Sequence, residues 1–264
     1  MCSSDLPRFA IRRLSQSEFG DISYEVMKHV FDIHNQIGGL FDESVYKEEL
    51  AQRLPQSQLE GQIDVSFDSF CAKYFVDIVV ADGAIFEFKA VERLQGIHRA
   101  QLINYLLMCD LAHGKLINLE GDFIEHEFVN TNWRFSDTQR FRIQNDRFDL
   151  TLPGTRQLQD YVLSFLADLG TGLQKSLYEQ AIFEFLGGTD QIKVKLPVRL
   201  NGHLVGHHEM ALIQPDIGII ITSLDQSLKS YETNTRRLLA HLDLRAINWI
   251  NITMNAVTFV TLHR

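Results

Sequence analysis

The sequence predicts an α/β protein built from two tandem copies of one unit, each a mixed sheet flanked by helices. Four short sequence blocks recur in the same order about half a chain length apart, which is the pattern of an internal repeat. Within the first copy, apolar periodicity predicts elements in the order α-α-β-β-β-α-β-β. With 45% hydrophobic and 22% charged residues, the composition is ordinary for a globular protein and excludes disordered, collagenous and disulfide-scaffold classes.

The net charge, the length of the apolar runs and the spacing of the cysteines narrow the possible classes of protein further. The net charge of −9 disfavours binding of polyanions over the whole surface, although it leaves room for a local basic cleft. No apolar run reaches the roughly 18 residues of a membrane helix, and the N-terminus lacks the apolar core of a secretory signal. Three widely spaced cysteines, Cys2, Cys71 and Cys109, indicate reduced thiols. We therefore expect a cytoplasmic protein without a membrane partner.

The repeat has an offset close to half of the 264 residues. Its blocks are IGGLFDESVY (37–46) over LGTGLQKSLY (169–178), FDSFCAKYFVDIVV (67–80) over LNGHLVGHHEMALI (200–213), KLINL (115–119) over NWINI (248–252), and Phe128-Val129 over Phe259-Val260. We therefore predict one unit in residues 1–133, a polar, Arg-rich connector in 134–154, and a second copy in 155–264.

The elements of the first copy follow from periodicity and turn residues. Apolar residues at helical spacing predict a helix over 22–37 that ends at Gly38, and a second helix that starts at Asp42 as N-cap and runs to Leu54. The remaining predicted elements are strands over 62–67, 70–80 and 84–91, a helix over 97–108, and strands over 114–119 and 125–129. Glu43 lies three residues before Tyr46, so both residues point to the inner face of the second helix.

The segment DIVVADGAIFEFK (77–89) carries the strongest candidate site. Glu87 and Lys89 are two apart and share one face of their strand. A two-residue turn would put Glu87 on the face opposite Asp77, whereas a three-residue turn over 81–83, with Gly83 left-handed, would pair Asp77 with Glu87. We predict the three-residue turn, because it brings two carboxylates and an ammonium together.

Two close carboxylates repel and imply a compensating cation, and carboxylate oxygens suit Mg²⁺ or Mn²⁺. Such a cation can lower the pKa of water and neutralise a phosphodiester, and Lys89 could orient the water or stabilise developing charge. The alternative for Lys89 is a simple salt bridge. Glu43 is a further candidate ligand and His34 a weaker one, while Gln101 and Tyr105, four apart on one helical face, could line the same cleft.

The second copy serves as an internal control. Its residues at the positions of Asp77, Glu87, Lys89, Glu43 and His34 are Met210, Ile220, Thr222, Lys175 and Leu166, in that order. The apolar and turn positions persist while the candidate polar residues vanish together, which is expected if they form one site that the second copy has lost. Tyr46 keeps its counterpart Tyr178 and is therefore interpreted as structural.

HNQIGGLFDESVYKEEL (34–50) resembles the signature of the GxxExxxY proteins, which belong to the RecB-like branch of the PD-(D/E)xK nuclease superfamily. VDIVV, FEFKAV and the Q-x-x-x-Y of Gln101 and Tyr105 also fit, although Leu40 replaces a usual glycine and Val76 replaces the proline before Asp77. The resemblance covers residues 22–130 and is faint over 155–264. It implies a restriction-endonuclease-like fold in which Asp77 and Glu87 bind Mg²⁺, Lys89 assists the attacking water and Glu43 is the acid carried by a helix.

The resulting expectation is a Mg²⁺- or Mn²⁺-dependent nuclease that acts on DNA, or alternatively RNA, with its active site in the first copy only. The second copy would pack as a pseudo-dimer partner, and homo-oligomers are a further expectation. The candidate cationic contacts for nucleic acid are Lys89, Arg93, His98, Arg99 and the connector residues Arg134, Arg140, Arg142 and Arg147. The competing interpretations are a non-catalytic nucleic-acid-binding or scaffold pseudoenzyme and a hydrolase of small phosphate esters.

Overall fold

In the computed structural model, which describes residues 7–264, the chain forms two compact units, each with its own mixed sheet. The first unit comprises residues 7–66 and Cys71–Asp137, and the second comprises Phe67–Phe70 and Thr138–Arg264. Of the cysteines, Cys71 is exposed and Cys109 is buried, both as free thiols, and Cys2 lies outside the described residues.

The first unit contains two helices, three strands, one helix and two strands, in the predicted order. They are α1 (Gln16–Ile37), α2 (Glu43–Arg53), β1 (Ser57–Phe67), β2 (Phe70–Val80), β3 (Ala84–Lys89), α3 (Gly96–Met108), β4 (His113–Asn118) and β5 (Glu125–Asn130). The strands lie in the sheet in chain order. The β2–β3 and β4–β5 pairs are antiparallel and the β3–β4 pair is parallel, because α3 crosses over between β3 and β4.

Helix α1 begins six residues before the predicted start at residue 22, because a capping box lies outside the apolar stripe. The Ser15 hydroxyl accepts from the Glu18 amide, and the Glu18 carboxylate accepts from the Ser15 amide at 2.8 Å. Hydrogen bonds from Ser15 and then Arg12 lower the pKa of Glu18 to about 2. Asp42 occupies the N-cap position of α2 as predicted, but its side chain makes no capping bond.

Helices α1 and α2 cover one face of the first sheet and bury its core. The apolar residues of this cluster include Phe19, Val26, Val30 and Ile33 of α1, Tyr46 and Leu50 of α2, and Ile78, Phe86, Phe88 and Ile117 of the sheet. Removing this apolar surface from water is the main favourable term for folding of the unit. The packing also fixes α2 against β3, so the N-terminal turn of α2 lies beside the end of β3.

The second unit repeats this order and adds one short helix and an edge strand. The helix α4 (Phe135–Thr138) spans the boundary, with only Thr138 in the second unit. The elements of the second unit are β6 (Arg142–Arg147), α5 (Thr155–Leu169), α6 (Lys175–Phe185), α7 (Thr189–Ile192), β7 (Lys193–Leu200), β8 (His203–Gln214), β9 (Ile217–Thr222), α8 (Leu228–Ala240), β10 (Ala246–Thr253) and β11 (Ala256–His263). The sheet order is β6-β11-β10-β9-β8-β7. The segment predicted as a connector, 134–154, thus contributes a strand, whose exposed, charged side chains suit the edge of a sheet.

The central strands of the two sheets share one register at an offset of 133 residues, up to a bulge between Leu212 and Gln214 near the β8–β9 turn. Ile78 pairs with Phe86 across β2–β3, and Ala211 pairs with Ile219 across β8–β9. On the parallel side Lys89 pairs with Asn118, and Thr222 pairs with Asn251. The β4–β5 and β10–β11 registers also agree at 133, so the alignment of Phe128 with Phe259, at 131, is wrong by two positions.

Candidate active site

The β2–β3 hairpin sets the geometry of the site, and its turn has the predicted length. Val80 pairs with Ala84, so the turn has three residues, 81–83. Continuing this register beyond Ile78–Phe86 places Asp77 opposite Glu87. The prediction that Gly83 is the left-handed residue is wrong, because the positive φ angles fall on Ala81 (51°) and Asp82 (58°).

Gly83 is required for a different reason. A Cβ atom on Gly83 would lie 2.0 Å from the Arg12 carbonyl oxygen, since the Arg12 segment crosses the turn closely and its amide donates to Asp82 at 2.6 Å. The glycine therefore provides room for a neighbouring backbone rather than an unusual φ angle.

Asp77 is buried, and both of its oxygens have partners. The Phe88 amide donates to Asp77 Oδ2 at 2.8 Å, which fixes the carboxylate against β3. Lys47 of α2 donates to Asp77 Oδ1 at 2.7 Å and also pairs with Glu60 of β1. Burial opposes the charge on Lys47, but the two hydrogen bonds prevail and raise its pKa, so Lys47 is an ammonium.

Glu87 is only 2% exposed and has one oxygen without a partner. Lys89 donates to Glu87 Oε1 at 2.7 Å and to the Phe88 carbonyl at 2.8 Å, whereas Glu87 Oε2 accepts no hydrogen bond. Burial, and next the charge of Asp77, raises the pKa of Glu87 to about 8. A pKa this high means that the charged form of Glu87 is costly at this buried position, unless a cation compensates the charge.

Glu43 lies in the same group of acids. It begins α2, and its Oε1 accepts from the amide of Ala90, directly after β3, at 2.8 Å. Its charge contributes to the raised pKa of Glu87. The structure therefore brings Glu43, Asp77, Glu87 and Lys89 together, from one helix and two strands.

Gln101 and Tyr105 of α3 form one pair that faces the acids. Gln101 Nε2 donates to the Tyr105 hydroxyl at 3.0 Å. Burial, and next the charge of Glu87, raises the pKa of Tyr105, which places the phenol near the carboxylates. Tyr74 of β2 meets Tyr105 edge to face with ring centroids 6.5 Å apart, and burial raises its pKa to about 12.

His34 is buried on α1 and is engaged elsewhere. Its Nε2 lies 3.1 Å from the Gly121 carbonyl oxygen, and its ring stacks near Tyr46 at 6.5 Å. Tyr46 in turn donates to the Gly38 carbonyl. This nitrogen of His34 thus positions the loop after β4 rather than facing the acids.

The carboxylate oxygens of Glu43, Asp77 and Glu87 are of the chemical type that binds a hard divalent cation. Within residues 7–264, no three acidic, His or Cys side chains converge as a ready metal site. Two carboxylate oxygens are instead held by Lys47 and Lys89, and two by backbone amides. The unpaired Oε2 of buried Glu87, beside Asp77, is the atom that lacks a positive partner, and oxygen ligands of this kind suit Mg²⁺ or Mn²⁺.

The equivalent positions of the second unit carry no acid. Thr222, at the position of Lys89, donates to Asn251 Oδ1 at 2.6 Å and accepts from Trp249 Nε1 at 2.8 Å. Met210 and Ile220 stand at the positions of Asp77 and Glu87. A neutral, satisfied network thus replaces the charged cluster.

Sequence reasoning missed Lys47, although the signal was present. Lys47 is four residues after Glu43, so helical periodicity puts both on one face of α2. Sequence comparison of the two copies also left the counterparts of Gln101 and Tyr105 unassigned. Asn118 clamps Val91 as Asn251 clamps Leu224, so the spans 89–118 and 222–251 have equal length. At the offset of 133, the counterparts are Asn234 and Leu238.

No helix in the part of the chain from residue 7 to 264 is both long and apolar enough to cross a membrane. A search of curated proteins found no significant match. Among solved structures, the crystal structure of SSO0001 aligns at 16% sequence identity with a TM-score of 0.30, and the alignment covers 45% of this chain and 64% of that chain. A family model for the PD-(D/E)XK nuclease superfamily matches residues 20–130, the segment that holds every candidate site residue. Residues 20–130 are therefore a domain of the PD-(D/E)XK nuclease superfamily.

Proposed function

We propose that the chain is a divalent-metal-dependent nuclease that hydrolyses phosphodiester bonds in DNA, with RNA as the alternative substrate, and that only the first unit is active. The observation that carries the proposal is the β2–β3 register, which sets Asp77 opposite Glu87 and leaves Glu87 Oε2 buried without a partner. The superfamily match over residues 20–130 supports the same class of chemistry.

Asp77, Glu87 and Glu43 are the proposed ligands of Mg²⁺ or Mn²⁺, with His34 as the weaker candidate. When bound, the divalent cation supplies Lewis acidity that lowers the pKa of water and neutralises the phosphate. In the hydrolysis, the oxygen of water bonds to phosphorus while one ester bond breaks, and a proton ends on the departing oxygen.

The residues of the chain position and neutralise the reacting groups. Lys89 is held by Glu87 and by the Phe88 carbonyl, so its ammonium has a fixed place from which it stabilises charge that develops on the phosphate. The Tyr105 hydroxyl, which accepts from Gln101, adds a polar group on the α3 side of the proposed site. Arg93 and Arg99, both exposed beyond β3, are proposed phosphate contacts, and Arg99 first has to leave its ion pair with Glu127.

We also propose that the two units arose by duplication, within the GxxExxxY group of the RecB-like branch. The β3–β4 and β9–β10 registers, which agree at an offset of 133, support duplication. So does the equivalent hydrogen bond of Tyr46 with Gly38 and of Tyr178 with Gly170. The second unit would then be a pseudo-dimer partner without a site of its own. Size-exclusion chromatography with light scattering tests the expected homo-oligomer.

A cleavage assay tests the function. Labelled single-stranded DNA, duplex DNA and RNA are incubated with Mg²⁺, Mn²⁺ or EDTA and with wild-type protein, Glu87→Gln or Lys89→Met. We expect metal-dependent cleavage that falls at least about 100-fold in both variants, because each removes a group that stabilises the transition state.

Lys175→Gln is the matched control, because Lys175 holds the position of Glu43 in the second unit and lies at its surface. Its activity is expected to equal that of wild type. Cleavage that survives both first-unit substitutions would contradict the assignment of the site. No cleavage of any substrate, together with no Mn²⁺ binding, would favour the non-catalytic scaffold, an alternative consistent with the neutral network of the second unit.

A further inference from the structure

Lys47 lies between two carboxylates, one buried and one exposed. Its ammonium donates to Asp77 Oδ1, whose side chain is 12% exposed, and it pairs with Glu60, whose side chain is 52% exposed. Lys47 itself is 13% exposed, so one ammonium links the buried acid to an acid at the surface.

Glu60 has an unusual backbone at this place. Its φ angle is +50° within β1, a left-handed conformation that is uncommon for a residue with a side chain. Gly61 follows it, where a Cβ would come within 3.0 Å of Val79 of the neighbouring strand. Backbone strain of this kind persists where the surrounding contacts maintain it, and the contact made by the Glu60 side chain is the ion pair with Lys47.

Each oxygen of Asp77 already has one partner: Oδ2 accepts from the amide of Phe88, and Oδ1 accepts from Lys47. A cation that binds Oδ1 therefore meets the Lys47 ammonium. An ammonium and a divalent cation on the same oxygen would repel each other strongly at this degree of burial. Glu60 offers Lys47 a second partner that needs no movement of α2, since the two groups are already paired.

We propose that Lys47 is an internal counter-cation of the acidic site, shared between Asp77 and Glu60: it holds Asp77 until a divalent cation binds, and then pairs with Glu60 alone. This inference rests on the proposed metal-dependent function, and it makes Lys47 and Glu60 positioning residues that set the metal affinity. Lys47 competes with the metal for Asp77, whereas Glu60 favours metal binding because it pairs with the displaced Lys47.

Two simpler roles for Lys47 would give different results. If Lys47 only ties α2 to β2, its loss lowers stability and leaves metal affinity unchanged. If Lys47 and Glu60 act on the metal through space, as independent charges, their effects on metal affinity add in a double variant. The exchange of partners instead requires that Glu60 acts only through Lys47.

A double-mutant cycle separates these cases. Mn²⁺ binding is measured by calorimetry on the full chain for wild type, Lys47→Met, Glu60→Gln and the double variant, with Glu49→Gln as the control. Glu49 belongs to an ion pair with Arg53 on the same helix, away from the acids. Thermal unfolding in EDTA establishes that each variant is folded.

We expect Lys47→Met to tighten Mn²⁺ binding about fivefold and Glu60→Gln to weaken it about fivefold, the size typical of one partly exposed ion pair. Glu60→Gln in the Lys47→Met background is expected to change nothing, and Glu49→Gln should match wild type. Additive effects, or unchanged affinity in Lys47→Met, would overturn the inference.

Glu60 is exposed, so Glu60→Gln remains informative even where Lys47→Met fails to fold: an affinity equal to that of Glu49→Gln would overturn the inference by itself. Absence of Mn²⁺ binding in wild type would instead overturn the proposed metal centre, and the inference with it. The two failures are therefore distinguishable.

Discussion

Among single residues, Glu87 shows the clearest conflict between stability and proposed activity. It is 2% exposed, faces Asp77 across the hairpin and keeps one oxygen without a donor. A buried acceptor left without a partner costs about 1–3 kcal/mol, and more when it is charged. Such a cost is commonly found where a side chain serves function rather than folding.

We therefore expect Glu87→Gln to stabilise the protein. The amide keeps an oxygen for Lys89 and cannot carry the charge that burial and Asp77 disfavour at this position. In EDTA at neutral pH, the free energy of unfolding should rise by about 2 kcal/mol. Thermal or urea unfolding measures this change. Glu49→Gln, on the surface of α2, should lose at most a few tenths of a kcal/mol, and destabilisation by Glu87→Gln would contradict the prediction.

At the scale of elements, the β2–β3 hairpin determines whether the two acids meet. Gly83→Ala would place a methyl group 2.0 Å from the Arg12 carbonyl oxygen, so either the turn or the Arg12 segment has to move. We expect the free energy of unfolding to fall by about 2–3 kcal/mol. Nuclease activity should fall with it, because the turn aligns Asp77 with Glu87.

Gly20→Ala is the matched control for this substitution. Gly20 lies inside α1 with open space around its missing Cβ, so alanine should stabilise the helix by about 0.5–1 kcal/mol. Chemical denaturation of both variants gives the comparison. Equal and small effects at the two glycines would show that Arg12 does not pack on the turn in solution.

The elements also show what sequence reasoning can and cannot reach. Periodicity predicted the order of the first unit, because the apolar faces of α1 and α2 and the runs in β2 and β3 are strong signals. It missed the start of α1, which depends on the polar pair Ser15 and Glu18, and it assigned the wrong role to Gly83. That role comes from a segment 71 residues away, at Arg12, and no local pattern encodes such a contact.

The candidate site was predictable in part for the same reason. Asp77, Glu87 and Lys89 follow from strand alternation and turn length, both local features. The roles of Lys47 and Glu60 depend on the packing of α2 against the sheet, which places an ammonium between acids from two different strands. Pairings of this kind are set by tertiary structure and appear only in the folded chain.

At the scale of the whole chain, the two units share the order of their elements but differ in the polar side chains that they carry at equivalent positions. Both keep the tyrosine that donates to a glycine carbonyl. Both also keep the asparagine that bonds to the segment after β3 in the first unit and after β9 in the second. Only the first has acids at the positions of Asp77 and Glu87. The features that both units retain are therefore those that the fold needs, and the acids of the first unit are not among them.

This contrast predicts that all divalent-metal binding by the chain depends on the first unit. Asp77→Asn is expected to abolish Mn²⁺ binding in calorimetry, because an amide offers one neutral oxygen where Asp77 offers charge. Lys175→Gln, at the position of Glu43 in the second unit, should bind Mn²⁺ as wild type does. Residual binding in Asp77→Asn would locate a second metal site outside the acidic cluster. Since Met210, Ile220 and Thr222 provide no carboxylate on the second hairpin, any such site would have to use residues that the repeat does not relate to Asp77 and Glu87.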